Sequence, residues 1–127
     1  LLCAPSMGLA GRAQVTWAEV AQLPLCLLTA DMQNRRIVNQ HLAEAGARVQ
    51  AVVESNSTIA LVSHVRSGHW ASVVPMKLAE MFTGQGLTAI PIVEPEAEHT
   101  VGLVTARRDL QTPVLQALIE AATRLSR

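Results

Sequence analysis

Two short polar stretches are where this chain could do chemistry. Thr29, Ala30, Asp31, Met32, Gln33 and Asn34 follow the apolar run LPLCLL. Ser55, Asn56, Ser57 and Thr58 follow the run VQAVV. Each reads as a junction between the carboxyl end of a strand and the amino end of a helix. The first amides of a helix have no partner within it, and the helix dipole favours negative charge there. Open α/β sheets bind ligands at the carboxyl ends of their strands. The implied chemistry is non-covalent: holding an anion or another hydrogen-bond acceptor. Ordinary helix capping accounts for the same residues, since Asp31 and Ser57 are good caps in any α/β protein. A third stretch, Ser72, Val73, Val74 and Pro75, ends another apolar run and reads equally as a plain buried strand with a stop signal.

Covalent chemistry finds no comparable footing. His41, His64, His69 and His99 fall on separate elements without HExxH or paired spacing. No nucleophile elbow, P-loop or GxGxxG is present. Glu94, Glu96 and Glu98 read as one solvated loop. The pairs Arg35/Arg36 and Arg107/Arg108 read as solvated ends of elements. Cys3 and Cys26 lie in apolar runs and lack disulfide-framework or metal spacing, so buried free thiols are expected, in keeping with a reducing cytoplasm. No catalytic residue, metal site or cofactor is expected.

The elements that must position the two turns are legible in outline. Residues 1–4 form a short strand closed by Pro5. Thr16 and Glu19 have capping-box spacing ahead of a short helix over 17–22. Residues 25–28 are apolar on both faces, as a strand covered on both sides should be. A helix follows over 32–45, with Ile37, Val38, His41, Leu42 and Ala45 as its stripe and Gly46 at its end. Strands are expected at 49–53 and 70–74, helices at 58–67 and 76–82, and a run at 87–93 bent by Pro91. A strand at 100–105 and a helix from Pro113 to about residue 125 complete the chain. This alternation predicts βαβ units and a largely parallel sheet.

The bulk numbers agree. The chain has 127 residues, half of them hydrophobic and 16% charged, which suits one globular domain. Ten basic residues balance ten acidic ones. A nucleic-acid binder usually carries a basic excess, so any DNA contact is expected from a segment outside this sequence. No apolar run nears the ~20 residues that cross a bilayer, so no membrane partner is expected. The opening LLCAPSMGLAGRA lacks a basic n-region and a full apolar core, and reads as a cut inside a longer protein.

In order, LLCAP, VTWAEVAQLPLCLL, QHLAEAG, VESNSTIALVSHVRSG, WASVVP, GLTAIPIVEP, HTVGLVTARR and TPVLQALIEAA resemble the effector-binding domain of LysR-type transcriptional regulators. The resemblance covers nearly the whole chain. It implies a fold like the type 2 periplasmic binding proteins, with two Rossmann-like α/β subdomains joined by crossover strands. Residues 1–4 would be a crossover, 5–93 the second subdomain, and 100–127 a return to the first. The amino-terminal winged helix-turn-helix and the opening of the first subdomain are absent. The resemblance places effector contacts on Thr29, Asp31, Met32, Gln33, Asn56, Ser57 and Val73. It implies a small-molecule effector, an anion being favoured, although apolar Met32 departs from the small polar residue common in relatives. His69, Trp70 and Ala71 stand where a small Gly-rich pair is usual. It also implies a homodimer or tetramer contacting through the helix 35–45 and the strand 49–53, and DNA binding only through the absent amino-terminal domain. A periplasmic solute-binding protein of the same fold is the alternative. An α/β enzyme would need a titratable constellation that the sequence does not supply. A helix-turn-helix over 59–81 is opposed by the strand-like WASVVP between its helices.

Overall fold

The computed structural model describes residues 1–107 and 110–125, which fall into two compact units, Leu1–Ala97 and Glu98–Arg127. Arg108 of the second basic pair lies outside the described residues.

The first unit is built on six strands, of which Cys26–Leu28, apolar at every position, is the most deeply buried of those longer than two residues. β1 (Leu2–Cys3), β2 (Val15–Thr16), β3 (Cys26–Leu28), β4 (Val53–Ser55), β5 (Thr88–Ala89) and β6 (Ile92–Val93) are short. β3 and β4 pair in parallel, with Cys26 opposite Val53, Leu27 opposite Glu54 and Leu28 opposite Ser55. β2 and β6 are also parallel. β1 runs antiparallel to β5 and, through Leu2, to Ser72; Ala71 in turn bridges Leu25 in parallel. The connected order is therefore β5, β1, the Ala71–Ser72 bridge segment, β3, β4. The pairings of β2 with β6, β3 with β4 and Leu25 with Ala71 are parallel as expected, and β1 alone runs against its neighbours.

Side chains alternate across this sheet, as a period of two requires. Cys3, Leu25, Leu27, Ala71 and Val73 join one core cluster, with Trp17, Val20, Val38 and Leu42 from α1 (Trp17–Val20) and α2 (Gln33–Glu44). Leu2, Cys26 and Leu28 join the other, with Leu61, Val62 and Val65 from α3 (Thr58–Arg66) and Ala79 from α4 (Met76–Glu80). Both faces are covered by helices, which is why LPLCLL carries no polar residue.

Helix ends follow local chemistry. The Thr16 Oγ1 accepts from the Glu19 N–H at 3.2 Å and Glu19 accepts from the Thr16 N–H at 2.8 Å, a complete capping box that Arg12 joins at 2.8 Å. α2 ends in a Schellman motif. The Gly46 N–H donates to Ala43 and the Ala47 N–H to Leu42, with Gly46 at φ 76°, a conformation that glycine adopts without strain.

Several expectations are corrected. The strand expected at 49–53 is displaced: only Val53–Ser55 forms a ladder, and Val52 makes one bond from its N–H to the carbonyl of Leu25, the residue before β3. An apolar alternation marks a strand but does not fix where its ladder begins. The stretch 70–74 contributes two isolated bridges rather than a strand. The run 87–93 divides into β5 and β6 on either side of Ile90 and Pro91.

In the second unit, residues 98–107 form no strand among the described residues, so the strand expected at 100–105 is absent there. A strand is stable only against a neighbour. Val101 is 95% and Val104 93% exposed. α5 (Pro113–Leu125) forms as expected, Thr112 Oγ1 accepting from the Leu115 N–H at 3.3 Å, and buries no side chain fully.

Two outcomes follow. Leu61→Ala removes a side chain that is 1% exposed and should lower stability by roughly 2–5 kcal/mol in urea unfolding. Glu19 is held below its ordinary pKa, first by the Thr16 backbone N–H and then by Arg12. Its contribution is therefore present above the unfolded carboxylate range, near about 4.3, and is lost as pH falls through the lower folded value. The urea-midpoint gap between wild type and Glu19→Gln should shrink as pH is lowered from about 6 to about 3.

Candidate functional site

Because Leu28 lies opposite Ser55, the residues that follow them lie side by side. The Thr29 N–H donates to the Ser55 carbonyl at 3.2 Å. The two polar turns are thus adjacent on one edge of the sheet. Each opens a helix: α2 begins at Gln33 and α3 at Thr58.

The first turn is tight, closed by a bond from the Met32 N–H to the Thr29 carbonyl at 3.0 Å. Thr29 is half-buried, and its Oγ1 is shut off from solvent with no aligned hydrogen-bond partner. Its hydroxyl is nonetheless near enough to Asp31 to be the leading cause of a lowered carboxyl pKa there, ahead of Asp31's own backbone N–H and of Arg36. Proximity is enough for that electrostatic influence, whereas satisfying the hydroxyl needs alignment. Asp31 is exposed and ionised at neutral pH.

Asp31 does not cap α2, contrary to expectation. Met32 holds the N-cap position and supplies no side-chain bond. The chain closes its turn one residue later than the capping pattern assumes, so the Asp31 carboxylate precedes the cap. Met32 is half-buried against the second core cluster. Gln33 is exposed in the first turn of α2.

In the second turn Ser57 does cap its helix, accepting from the Ala60 N–H at 3.4 Å, while Ser55 Oγ accepts from the Ser57 N–H at 3.1 Å. Asn56 is exposed between them. Val73 is 8% exposed and packs in the first core cluster, so its side chain belongs to the core and not to the polar edge. The structure therefore brings Thr29, Asp31, Met32, Gln33, Asn56 and Ser57 onto one edge and sets Val73's side chain apart.

Arg35 overturns the expectation of a solvated basic pair. It is 6% exposed. Its Nη1 donates to the Leu28 carbonyl at 2.6 Å and to Glu54 Oε1 at 2.6 Å, and its Nε donates to Asn39 Oδ1 at 2.9 Å. Arg36 stays exposed and reaches the Asp31 carbonyl at 3.4 Å. One signal was available: Arg35 is a cation in the first turn of a helix, where the dipole disfavours it. Such a residue needs partners, and Asn39 one turn on is one of them.

The remaining titratable residues sit elsewhere. His41 stacks on Trp17 with centroids 4.8 Å apart, and the Trp17 Nε1–H donates to the Pro95 carbonyl at 3.1 Å. His64 and His69 flank Trp70. Burial pushes the Cys3 and Cys26 thiols up. Among the described residues no group of three or more His, Cys, Asp or Glu could hold a metal, and no helix is long and apolar enough to cross a membrane. A cavity of about 260 Å³ at the far end of α2 is lined by Asn39, Leu42, Ala43, Ala47, Arg48 and Val49, away from the two turns.

The two turns predict unequal responses: Ser57→Ala should lower stability by about 1 kcal/mol in urea unfolding, whereas Asp31→Ala, which removes no cap, should cost less.

The chain is similar to the probable nitrogen assimilation transcriptional activator of Synechococcus elongatus, 24% identical over 106 residues. That match covers 83% of this chain and 34% of the relative, so the chain spans about a third of that protein's length. The family described as LysR substrate binding domain matches residues 1–127. With the match running from end to end, the chain belongs to the LysR substrate-binding domain family.

Proposed function

We propose that this chain is the effector-sensing part of a transcription regulator. One observation carries the reading: in a chain of the LysR substrate-binding family, two β-to-α turns meet on one sheet edge through the bond from Thr29 to Ser55. A small metabolite binds there, contacting Thr29, Asp31, Met32 and Gln33 from one turn and Asn56 and Ser57 from the other. Val73 contributes through its backbone. The free amides at the start of α2 favour an acceptor or anion on the metabolite. The ionised Asp31 at the rim favours a hydroxyl or ammonium donor beside it.

Residues 1–4 act as a crossover strand and residues 100–127 as a return to a first subdomain, and the metabolite sits in an interdomain cleft. The metabolite closes that cleft and shifts a homo-oligomer between two arrangements. The energy for the shift is the difference in its affinity for the two states. The helix α2 and the segment 49–53, where Val52 is 63% exposed, form the contact between copies. A winged helix-turn-helix outside these residues reads DNA, and the protein works in the cytoplasm. No catalytic step is part of this role.

Thermal-shift measurement of the full-length regulator against di- and tricarboxylates, amino acids and inorganic anions tests the reading. At 100 times Kd a true effector should add about 2.7 kcal/mol of stability. Thr29→Val and Asn56→Leu should each abolish that shift while keeping the unliganded midpoint. A panel in which nothing stabilises the protein, or variants that respond as wild type does, would count against it.

A further inference from the structure

Burying a guanidinium in a first helical turn is a poor way to gain stability. The helix dipole opposes the charge, and an apolar side chain of similar size usually stabilises a buried site as well or better. What an apolar residue cannot supply is direction. Arg35 makes three bonds to three elements: to Leu28 at the end of β3, to Glu54 in β4 and to Asn39 within α2. Leu28 is the residue before Thr29, and Glu54 is the residue before Ser55. Both strand bonds thus end one residue short of the two polar turns.

We infer that Arg35 is a positioning residue that fixes the spacing of the two turns before any ligand arrives. Between them the turns share one described backbone bond, from Thr29 to Ser55. Beyond the β3–β4 ladder, a second tie keeps the two strand ends from splaying, and with it the amides of α2 and the Asn56 side chain keep their mutual spacing. Nη1 supplies that tie by reaching both strands from one atom. Glu54 is 47% exposed on its side chain, so its half of the pair is the weaker one, and the bond to the Leu28 carbonyl is the sheltered one. The inference rests on the reading of the edge as a binding crevice, but its test needs no effector.

Hydrogen exchange of the unliganded full-length protein, followed by mass spectrometry, decides it. In Arg35→Met, exchange of the hydrogen-bonded amides of the two turns, those of Thr29, Met32 and Ser57, should rise about tenfold, the effect of one lost hydrogen bond. The interior of α3, around Leu61 and Val65, should stay as protected as in wild type. Arg35→Lys restores a charge without the fork and should give an intermediate rise. Glu54→Leu, which leaves the helix untouched and removes the acceptor, should loosen 55–58 more than 29–34. Unchanged turns in Arg35→Met overturn the inference, as does a rise spread evenly over the first unit. Should Arg35→Met fail to fold, Glu54→Leu decides alone, and full protection of the Ser57 amide in it overturns the inference. The metabolite panel above reports on the crevice separately, so failure of one leaves the other standing.

Discussion

The parallel pairing of β3 with β4 is the constraint from which the rest follows. A parallel pair places both carboxyl ends on the same edge, and the register sets how nearly the residues beyond them align. With Leu28 opposite Ser55, both chains leave the sheet at the same level and turn into helices that begin side by side. Shifting the pairing by one residue would exchange the faces of every side chain in β4 relative to β3. It would carry Glu54 away from Arg35 and open the bond from Thr29 to Ser55. The polar edge therefore depends on a ladder of three residue pairs that is itself uncapped by any long strand.

Short strands need other support. β3 obtains it by burial on both faces: Leu27 is held by α2 and α1, and Cys26 and Leu28 by α3. The 12-residue α2 lies over one face and the 9-residue α3 over the other, each running away from the polar edge. Cys26 fits this role as a small apolar residue whose Sγ–H points to the Leu61 carbonyl at 3.8 Å. Burial raises its pKa and keeps it a thiol, so it packs and does not react.

How much of this was legible depends on the range of the forces involved. Signals settled within a few residues read correctly: the Thr16–Glu19 box, the apolar run 25–28, the glycine after α2 and Ser57 before α3. Features set by distant partners did not. Whether the ladder begins at Val49 or Val53 is decided by where β3 offers its bonds, and the alternation in VQAVV is silent on that. Arg35 looked solvated because its partners, Leu28 and Glu54, lie 7 and 19 residues away. Residues 100–105 carry a strand pattern but form no strand among the described residues. Asp31 misled for the opposite reason: its local pattern is that of a cap, and the turn closing at Met32 moves the helix start past it.

That displaced cap makes the two helix ends unequal. At α3 the Ser57 hydroxyl already meets one of the free amides, so an incoming acceptor there competes with a side chain in place. At α2 no side chain does so, because Met32 turns its apolar chain to the second core cluster. An unsatisfied helix end is usually met by water, a side chain or a ligand. Asp31 stands one residue too early for that task, yet it stays ionised, its carboxyl pKa lowered by Thr29 first, then by its own backbone N–H and by Arg36. A bound group that accepts from the α2 amides therefore gains more than one placed at α3, but it must tolerate a carboxylate at its side. A bare anion satisfies only the first condition. A molecule that joins an acceptor to a donor satisfies both, and the same two turns can then discriminate by the distance between its groups and not by charge alone.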